Sequence, residues 1–518
     1  MRAILRYLNV EKREREIKAT EPDKKRFDRI LKYTGVFGSV HGFSMLVKLL
    51  NNMFKSRLLG PMGFGIIENL NRNTDLIRNS TNLGLMTVAV PEISKCESDP
   101  EPGCLEHKIL LTRSWAMLTA IVGTVLCLVL APVLSRRAFG GSADYTVSFM
   151  ILSISVAAAA VTNGEIAILK ATGRLRQLAL SMFLAELLSL CISVPLYWFL
   201  GYDGIVIALA MSVLNNMVVT CCYSFRYFAY RVRPFSWSLL RQGTGMIEMG
   251  LFLTFAAFAG AWAWSFVAKF LMEHGGEELV GIYSAGYHAL VASFTSIVLS
   301  GLDSEFFPSL SAAGNDMGRA HSLMNNQSLA LCMIAAPAVI LFMVCVPAVV
   351  YVVLGYEKFT DTILLSQMAV AGVYFKAVGM PVAYCVLVKS DSLIYVIQEV
   401  MDNILLIVCV VLGYRLGGIN GVGLALAVWE VFYLILVLLI SKLRYGYRMD
   451  SALVRNFLIQ GAFVVAATYG IINGGVMGYG LSIVMCICAS SVTLHFFKEH
   501  TTFVPGVLSK VFRKYHKH

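Results

Sequence analysis

Apolar runs of about twenty residues recur from about residue 35 to about residue 497 of this chain. Each is long enough to cross the ~30 Å hydrocarbon core of a bilayer as an α-helix. Only 14% of the residues are charged, against about 25% in an ordinary soluble chain. The chain reads as an all-α membrane protein, nearly all of it membrane domain. Its start, MRAILRYLNVEKREREIK, turns charged almost at once and lacks the apolar core and small-residue cleavage site of a secretory signal. No processing is expected, and the first transmembrane helix is expected to do the targeting.

Turn signals between the apolar runs predict about fourteen helices, near 34–56, 64–92, 110–134, 144–169, 177–200, 204–229, 243–268, 279–310, 321–353, 361–388, 392–414, 419–441, 454–473 and 477–497. With the N-terminus in the cytoplasm, only Lys55, Arg57, Arg136, Arg137, Lys269, Lys358 and Arg415 of the basic residues between helices face outward. The inner segments hold the rest, so the positive-inside rule places both termini in the cytoplasm. The net charge of +11 therefore meets anionic lipid rather than nucleic acid. Most of the twelve cysteines lie inside apolar runs, where a thiol packs as a small hydrophobe. Cys96, Cys104 and His107 match no standard zinc spacing, and no metal or cofactor is expected.

An internal repeat organises the helices. GYDGIVIALAMSV from Gly201 resembles GGINGVGLALAVW near Gly418, with Gly204 and Gly421, then Ala208 and Ala425, at one offset. The same offset relates Pro91 of VPEIS to Pro308 of FPSLS and, within a residue, Gly65 of GFGIIE to Gly281 of LVGIYS. A shift of six helices is even, so the two copies share one orientation about an axis along the membrane normal. The expected parts are a basic cytoplasmic segment (1–33), a six-helix lobe (34–232), a cytoplasmic linker (233–242), a second six-helix lobe (243–446), and a final pair of helices with a basic tail (447–518). The repeat also argues that 64–92 spans despite its charges, because its counterpart near 280–310 is plainly apolar.

Those charges are the chemistry. At ~100° per residue, Glu68, Asn71, Arg72, Asp75, Arg78, Asn79 and Asn82 share about 120° of arc on the second helix. His41, Ser44, Lys48, Asn51, Asn52 and Lys55 form a similar stripe on the first. An unpaired charge facing lipid costs at least ~2.5–3.5 kcal/mol at mid-helix, so both stripes must face protein or water. One reading has Glu68–Arg72 and Asp75–Arg78 neutralise each other and lock the two helices together. The other, drawn from the length of the stripes and from Lys48 having no acid in its own helix, is a hydrated electropositive cavity suited to an anion. In the second lobe His288, Lys376, Glu248, Asp303, Glu305, Glu399, Asp402 and Glu430 are intramembrane ionisable groups, and Tyr283 and Tyr287 are placed to line a sugar surface or simply to pack. Trp262 and Trp264 fit an interfacial aromatic belt. There is no P-loop, no metal-ligand cluster and no long external loop for a catalytic site, so neither an enzyme nor an ATP-driven pump is expected.

The run SRLLGPMGFGIIENLNRNTDLIRNSTNLGLMTVAVPEIS, Ser56 to Ser94, resembles the signature of the polysaccharide and O-antigen flippases of the multidrug/oligosaccharidyl-lipid/polysaccharide (MOP) superfamily. ILKATGRLRQLAL after the fourth helix, and VGIYSAGYHAL with EFFPSLS around the eighth, add to the likeness, which covers about residues 30–445. It departs at Phe64, where an aromatic hydroxyl is commoner, and in the long charged N-terminal segment. The resemblance implies a V-shaped, MATE-like bundle working by alternating access, with the first, second, seventh and eighth helices lining a central cavity. Members move oligosaccharide on a polyprenyl diphosphate from the cytoplasmic to the periplasmic leaflet of the inner membrane. On that basis Lys48, Arg72 and Arg78, with His41 nearby, are expected to hold the diphosphate. Asn52, Asn82, Tyr287, His288 and Lys376 complete the substrate-binding set. Glu68, Asp75, Glu248 and Asp303 are candidates for ion or proton coupling. The partners expected are the lipid-linked oligosaccharide, membrane lipids and other polysaccharide-assembly proteins. A MATE-like drug or cation antiporter is the first alternative, and a membrane glycan polymerase or ligase the second.

Overall fold

The computed structural model describes residues 23–98, 103–233, 244–299, 306–311, 316–389 and 391–500 with a few isolated positions between them, and side chains from Val47 onward except at scattered positions that include 242–249. The described residues contain helices and no strand. In chain order these are α1 (Asp23–Thr81), α2 (Leu85–Ser98), α3 (Cys104–Ala138), α4 (Thr146–Ala171), α5 (Leu175–Leu200), α6 (Gly204–Phe225) and α7 (Thr244–Tyr283). A π-helical stretch, Ser284–Val291, leads into α8 (Ala292–Val298). Then come α9 (Phe307–Ser311), α10 (Met317–Val349), α11 (Thr360–Ala369), α12 (Ala371–Val388), α13 (Ser392–Tyr445), α14 (Ser451–Asn473) and α15 (Gly475–His500).

Among the described residues ten helices are long and apolar enough to cross a membrane, against the fourteen expected from the sequence pattern. The difference has two physical sources. Neither arm of α1 qualifies, the second carrying Glu68, Arg72, Asp75 and Arg78. Two of the ten, Gly250–Val298 with 49 residues and Ser392–Tyr445 with 54, are each interrupted by glycines in non-helical conformation. The arms of α13 fold back on one another: a Cβ on Gly421 would lie 2.0 Å from the Gly413 carbonyl oxygen. α7 does the same about Gly276, bringing Trp264 within 5.4 Å of Tyr287.

The breaks carry the repeat in their backbone angles. Gly60 (φ 64°, ψ −168°) matches Gly276 (φ 65°, ψ −162°), and Gly201 (φ 55°, ψ −126°) matches Gly418 (φ 58°, ψ −143°). Only glycine adopts such angles at little cost. The expected single helix over 64–92 is instead broken after Thr81, where Leu83 takes a left-handed φ of 50°.

α3 to α6 pack on one another, and α10 to α15 do likewise, while α1 packs most extensively against α7. One buried apolar cluster is drawn from residues between Leu59 and Ala210, including Cys127, Phe149 and Ile205. A larger one is drawn from residues between Ala263 and Phe497. A third, smaller cluster joins Phe64 to Ala285, Leu290 and Phe359. Phe64 meets Phe359 edge-on at 5.8 Å there, so a phenol at this position would be an unpaired hydroxyl in an apolar cluster. Close by, a Cβ on Gly65 would lie 1.8 Å from the Glu277 carbonyl oxygen and one on Gly281 1.8 Å from that of Pro61. The repeat-related glycines thus let α1 and α7 touch backbone to backbone. On the outside, α3 presents Val122, Val125, Val129 and Val133 away from the protein, as a lipid-facing helix does.

Candidate functional site

The arm of α1 after Gly60 carries its charged stripe into the region where α1 meets α7 and the π-helical stretch. Glu68 is the hub. Its carboxylate accepts a hydrogen bond from Arg72 Nε at 2.5 Å, one turn along the same helix, and another from Ser284 Oγ at 2.9 Å on the π-helical stretch. His288 Nε2 lies 3.2 Å from Glu68 Oε1, at ion-pair distance though not aligned as a hydrogen bond. π-Helical turns are rare and recur at functional sites because they rotate side chains out of the regular register. Here the turn presents Ser284 and His288 to one carboxylate and Tyr287 to the aromatic group beside it.

That group is a run of rings in which Tyr287 stacks on Trp264 while His288 and Trp429 meet it edge-on. The Trp264 indole lies 5.4 Å from Tyr287, 5.2 Å from His288 and 5.8 Å from Trp429, and the Arg72 guanidinium sits 5.9 Å from its centroid. At the other end the Lys376 ammonium lies 5.2 Å from the Trp429 ring and 2.7 Å from Glu430 Oε1. Trp429 Nε1 donates to Asp402 Oδ1 at 2.7 Å, and Glu430 Oε2 is buried without a partner among the described residues. Two charged clusters, Glu68–Arg72–His288 and Lys376–Glu430–Asp402, are thereby bridged by aromatic faces able to attract cations. A cavity of about 100 Å³ bordered by Tyr287, Thr295, Lys376 and Glu430 opens at this second cluster.

The remaining expected site residues lie apart from this seam. Arg78 pairs with Asp75 at 3.0 Å and donates to Ser155 Oγ on α4 at 2.8 Å. Lys48 finds its acid outside its own helix, at Glu186 of α5, 3.5 Å away. Asn52 and Asn82 make no side-chain polar contact among the described residues. The side chains of His41, Glu248, Asp303 and Glu305 lie outside the described residues. The two local pairs of the α1 stripe form, and the Glu68 pair faces Ser284 and His288 rather than the first arm of α1.

Three features were not foreseen from the sequence. Trp264, expected in an interfacial belt, stands at the centre of the seam, while Trp262 is 41% exposed on the outside, as a belt residue is. The signal was available in spacing: Trp264 and Tyr287 are nearly equidistant from Gly276, the point at which α7 folds back. Cys96 and Cys104, considered above only with His107 as metal ligands, form a disulfide across the connection from α2 to α3. Arg113 and Glu165 form a deeply buried pair on α3 and α4, with Arg113 Nε–Glu165 Oε1 at 2.7 Å and Nη2–Oε2 at 3.0 Å. Ser224, Ala229 O and Phe228 O complete that shell.

An all-α bundle with charged and aromatic groups buried between its helices is the class of multi-pass membrane proteins to which MATE transporters belong. The structure is similar to an inward-facing multidrug resistance MATE transporter of the MOP superfamily (TM-score 0.63, 16% identity, 80% of this chain and 96% of that one). It is similar also to the lipid II flippase MurJ in an inward closed conformation (TM-score 0.64, 12% identity, 90% and 99%). A third likeness is to a MOP superfamily transporter from Pyrococcus furiosus whose binding pocket is described as reversed in polarity (TM-score 0.59, 15% identity, 80% and 96%). At such identities the likeness is one of fold. The family is fixed by sequence: the chain belongs to the polysaccharide biosynthesis protein family, whose model matches residues 30–313. No curated protein matches it at a comparable level.

Proposed function

We propose that this protein is a flippase that carries a polyprenyl diphosphate-linked oligosaccharide from the cytoplasmic to the outer leaflet of the inner membrane by alternating access. The observation that carries the reading is the seam at Glu68, Arg72 and His288, where an arginine within the membrane lies against a neighbouring helix, beside aromatic faces, in a chain of the polysaccharide biosynthesis family. Arg72 and Arg78 offer planar donor forks to phosphate, and Lys48 and Lys376 offer point charges. Tyr287, Asn52 and Asn82 offer surfaces and amides for sugar. Glu68 and Asp75 balance the arginines, and release of Glu68 by a protonation or ion-binding event would free Arg72 for the diphosphate. The side chains of His41, Glu248 and Asp303 take the roles assigned above to their positions.

The repeat supports a two-lobed arrangement. Taking each arm of α1, α7 and α13 as a rod, with α2 continuing the second arm of α1, the π-helical stretch and α8 continuing that of α7, α11 and α12 forming one rod, and the short α9 set aside, gives fourteen spans in two sixes and a final pair. The matched glycine breaks and the separate apolar clusters favour the same division. Basic residues on alternate connections favour cytoplasmic termini. A cation antiporter draws on one specific observation, the surplus of acids Glu399, Asp402 and Glu430 around the single Lys376.

The reading is tested in proteoliposomes loaded with lipid-linked oligosaccharide, with external glycosidase reporting which leaflet holds the sugar. Sugar that becomes accessible only with active protein is the expected result. No movement, with a longer glycan in the product, overturns the reading in favour of a polymerase.

A further inference from the structure

Between the first arm of α1 and helices α5 and α6 lies a cavity of about 210 Å³ that the diphosphate reading does not use. Its polar wall includes Asn51, Lys55, Glu186, Ser189, Ser212 and Asn216. Lys48, with 56% of its side chain exposed, pairs with the same carboxylate at 3.5 Å. Lys55, on the same wall, has no ion-pair partner among the described residues. Asn51 accepts from Ser193 at 3.2 Å, and Asn216 accepts from Thr220 at 3.3 Å, each through its carbonyl oxygen, which leaves the amide N–H groups uncommitted. Ser212 has no hydrogen-bond partner among the described residues.

A cavity smaller than the ~300–1,000 Å³ of a drug-sized site takes one ring rather than a chain of them. Amide and hydroxyl donors set beside one carboxylate acceptor match the alternating donors and acceptors of sugar hydroxyls. An ammonium without a carboxylate of its own asks for an anion and repels a cationic drug. We propose that this cavity is a subsite for one sugar ring of the transported head group, and that Lys55 selects a ring bearing an anionic substituent, carboxylate or phosphate. The inference rests on the flippase reading and deepens it by naming the head-group chemistry.

The test uses the full chain in lipid nanodiscs and equilibrium binding of labelled glucose, glucuronate and glucose 6-phosphate, with inorganic pyrophosphate as a separate reporter of the Arg72 seam. Wild type is expected to bind glucuronate, glucose 6-phosphate or both at least ten-fold tighter than glucose, and which of the two it prefers distinguishes the substituents. Lys55→Met removes that preference and leaves pyrophosphate binding unchanged. Lys55→Arg retains it, and Ser212→Val weakens all three sugars a few-fold. Equal binding of charged and neutral sugars by wild type, saturable binding of none of them, or an undiminished preference in Lys55→Met overturns the subsite. Should Lys55→Met fail to fold, Ser212→Val carries the test: weaker binding of all three sugars than wild type supports the subsite, and unchanged binding overturns it. A wild type that shows no preference among the sugars but binds pyrophosphate defeats only this inference, whereas absence of pyrophosphate binding from wild type defeats the flippase reading itself.

Discussion

Two arginine–carboxylate pairs sit inside this membrane bundle, and their surroundings differ in every respect that bears on function. Arg113 and Glu165 are 2% and 1% exposed, meet through two parallel contacts, and are closed off by a serine hydroxyl and two backbone carbonyls. Arg72 and Glu68 are 22% and 9% exposed, meet through one short contact, and share the carboxylate with Ser284 and His288 of another helix. The first pair is satisfied within one group of helices and holds the chain leaving α6 against α3. The second lies where α1 meets α7, and its arginine has donors to spare. A charge within the membrane is thus no sign of transport by itself. What separates the two is whether the shell around the pair is complete.

The sharpest way to break that contrast is to remove both arginines in turn. Arg113→Ala leaves Glu165 buried and unpaired, and a loss of about 3–5 kcal/mol of stability is expected. Thermal melting of the detergent-solubilised protein reads it, and a melting curve like that of wild type would show that the buried pair does not hold the fold. Arg72→Gln removes a charge from a site open to its surroundings. Its expected cost falls on transport, at about 1.5–3 kcal/mol of lost charge-assisted hydrogen bonding to phosphate, with little change in melting. Initial rates of pyrophosphate-lipid translocation at matched protein levels measure that cost.

Smaller effects sharpen the comparison. Coupling between Glu68→Gln and His288→Gln, read from a double-mutant cycle on stability, is expected at about 0.5–3 kcal/mol because the groups touch. The same cycle between Glu68→Gln and Ser224→Ala should return nothing beyond error, and equal coupling in both would erase the distinction between the two pairs. Phe64→Tyr adds an aromatic hydroxyl and places it among Ala285, Leu290 and Phe359. A loss of about 1–3 kcal/mol is expected, and a stabilised variant would show that Phe64 is not buried as described.

Much of the architecture was legible because hydrophobic length and periodicity are local properties. The all-helical character, the polar stripe on α1 and its local pairs could all be read from spacing alone. Where a pair closes across helices the sequence was silent, since Glu186 as the acid for Lys48 and Glu165 as the acid for Arg113 are set by packing. The break at Leu83 had a glycine signal beside it, Gly84 (φ 56°), but its place was set by packing, since Leu83 O would lie 2.3 Å from a Cβ on Gly250. Trp264 was misplaced for a related reason: its role depends on α7 folding back at Gly276, which turns a residue near one helix end toward the facing arm.

The central claim is that the open pair, and not the closed one, handles the diphosphate. The most direct measurement is the rate at which proteoliposomes expose lipid-linked oligosaccharide to external glycosidase, for wild type and Arg72→Gln reconstituted at equal amounts and shown to melt alike. A rate lowered ten-fold or more in Arg72→Gln is the expected result. A rate equal to that of wild type would contradict the account and leave the seam at Glu68 and His288 a packing feature.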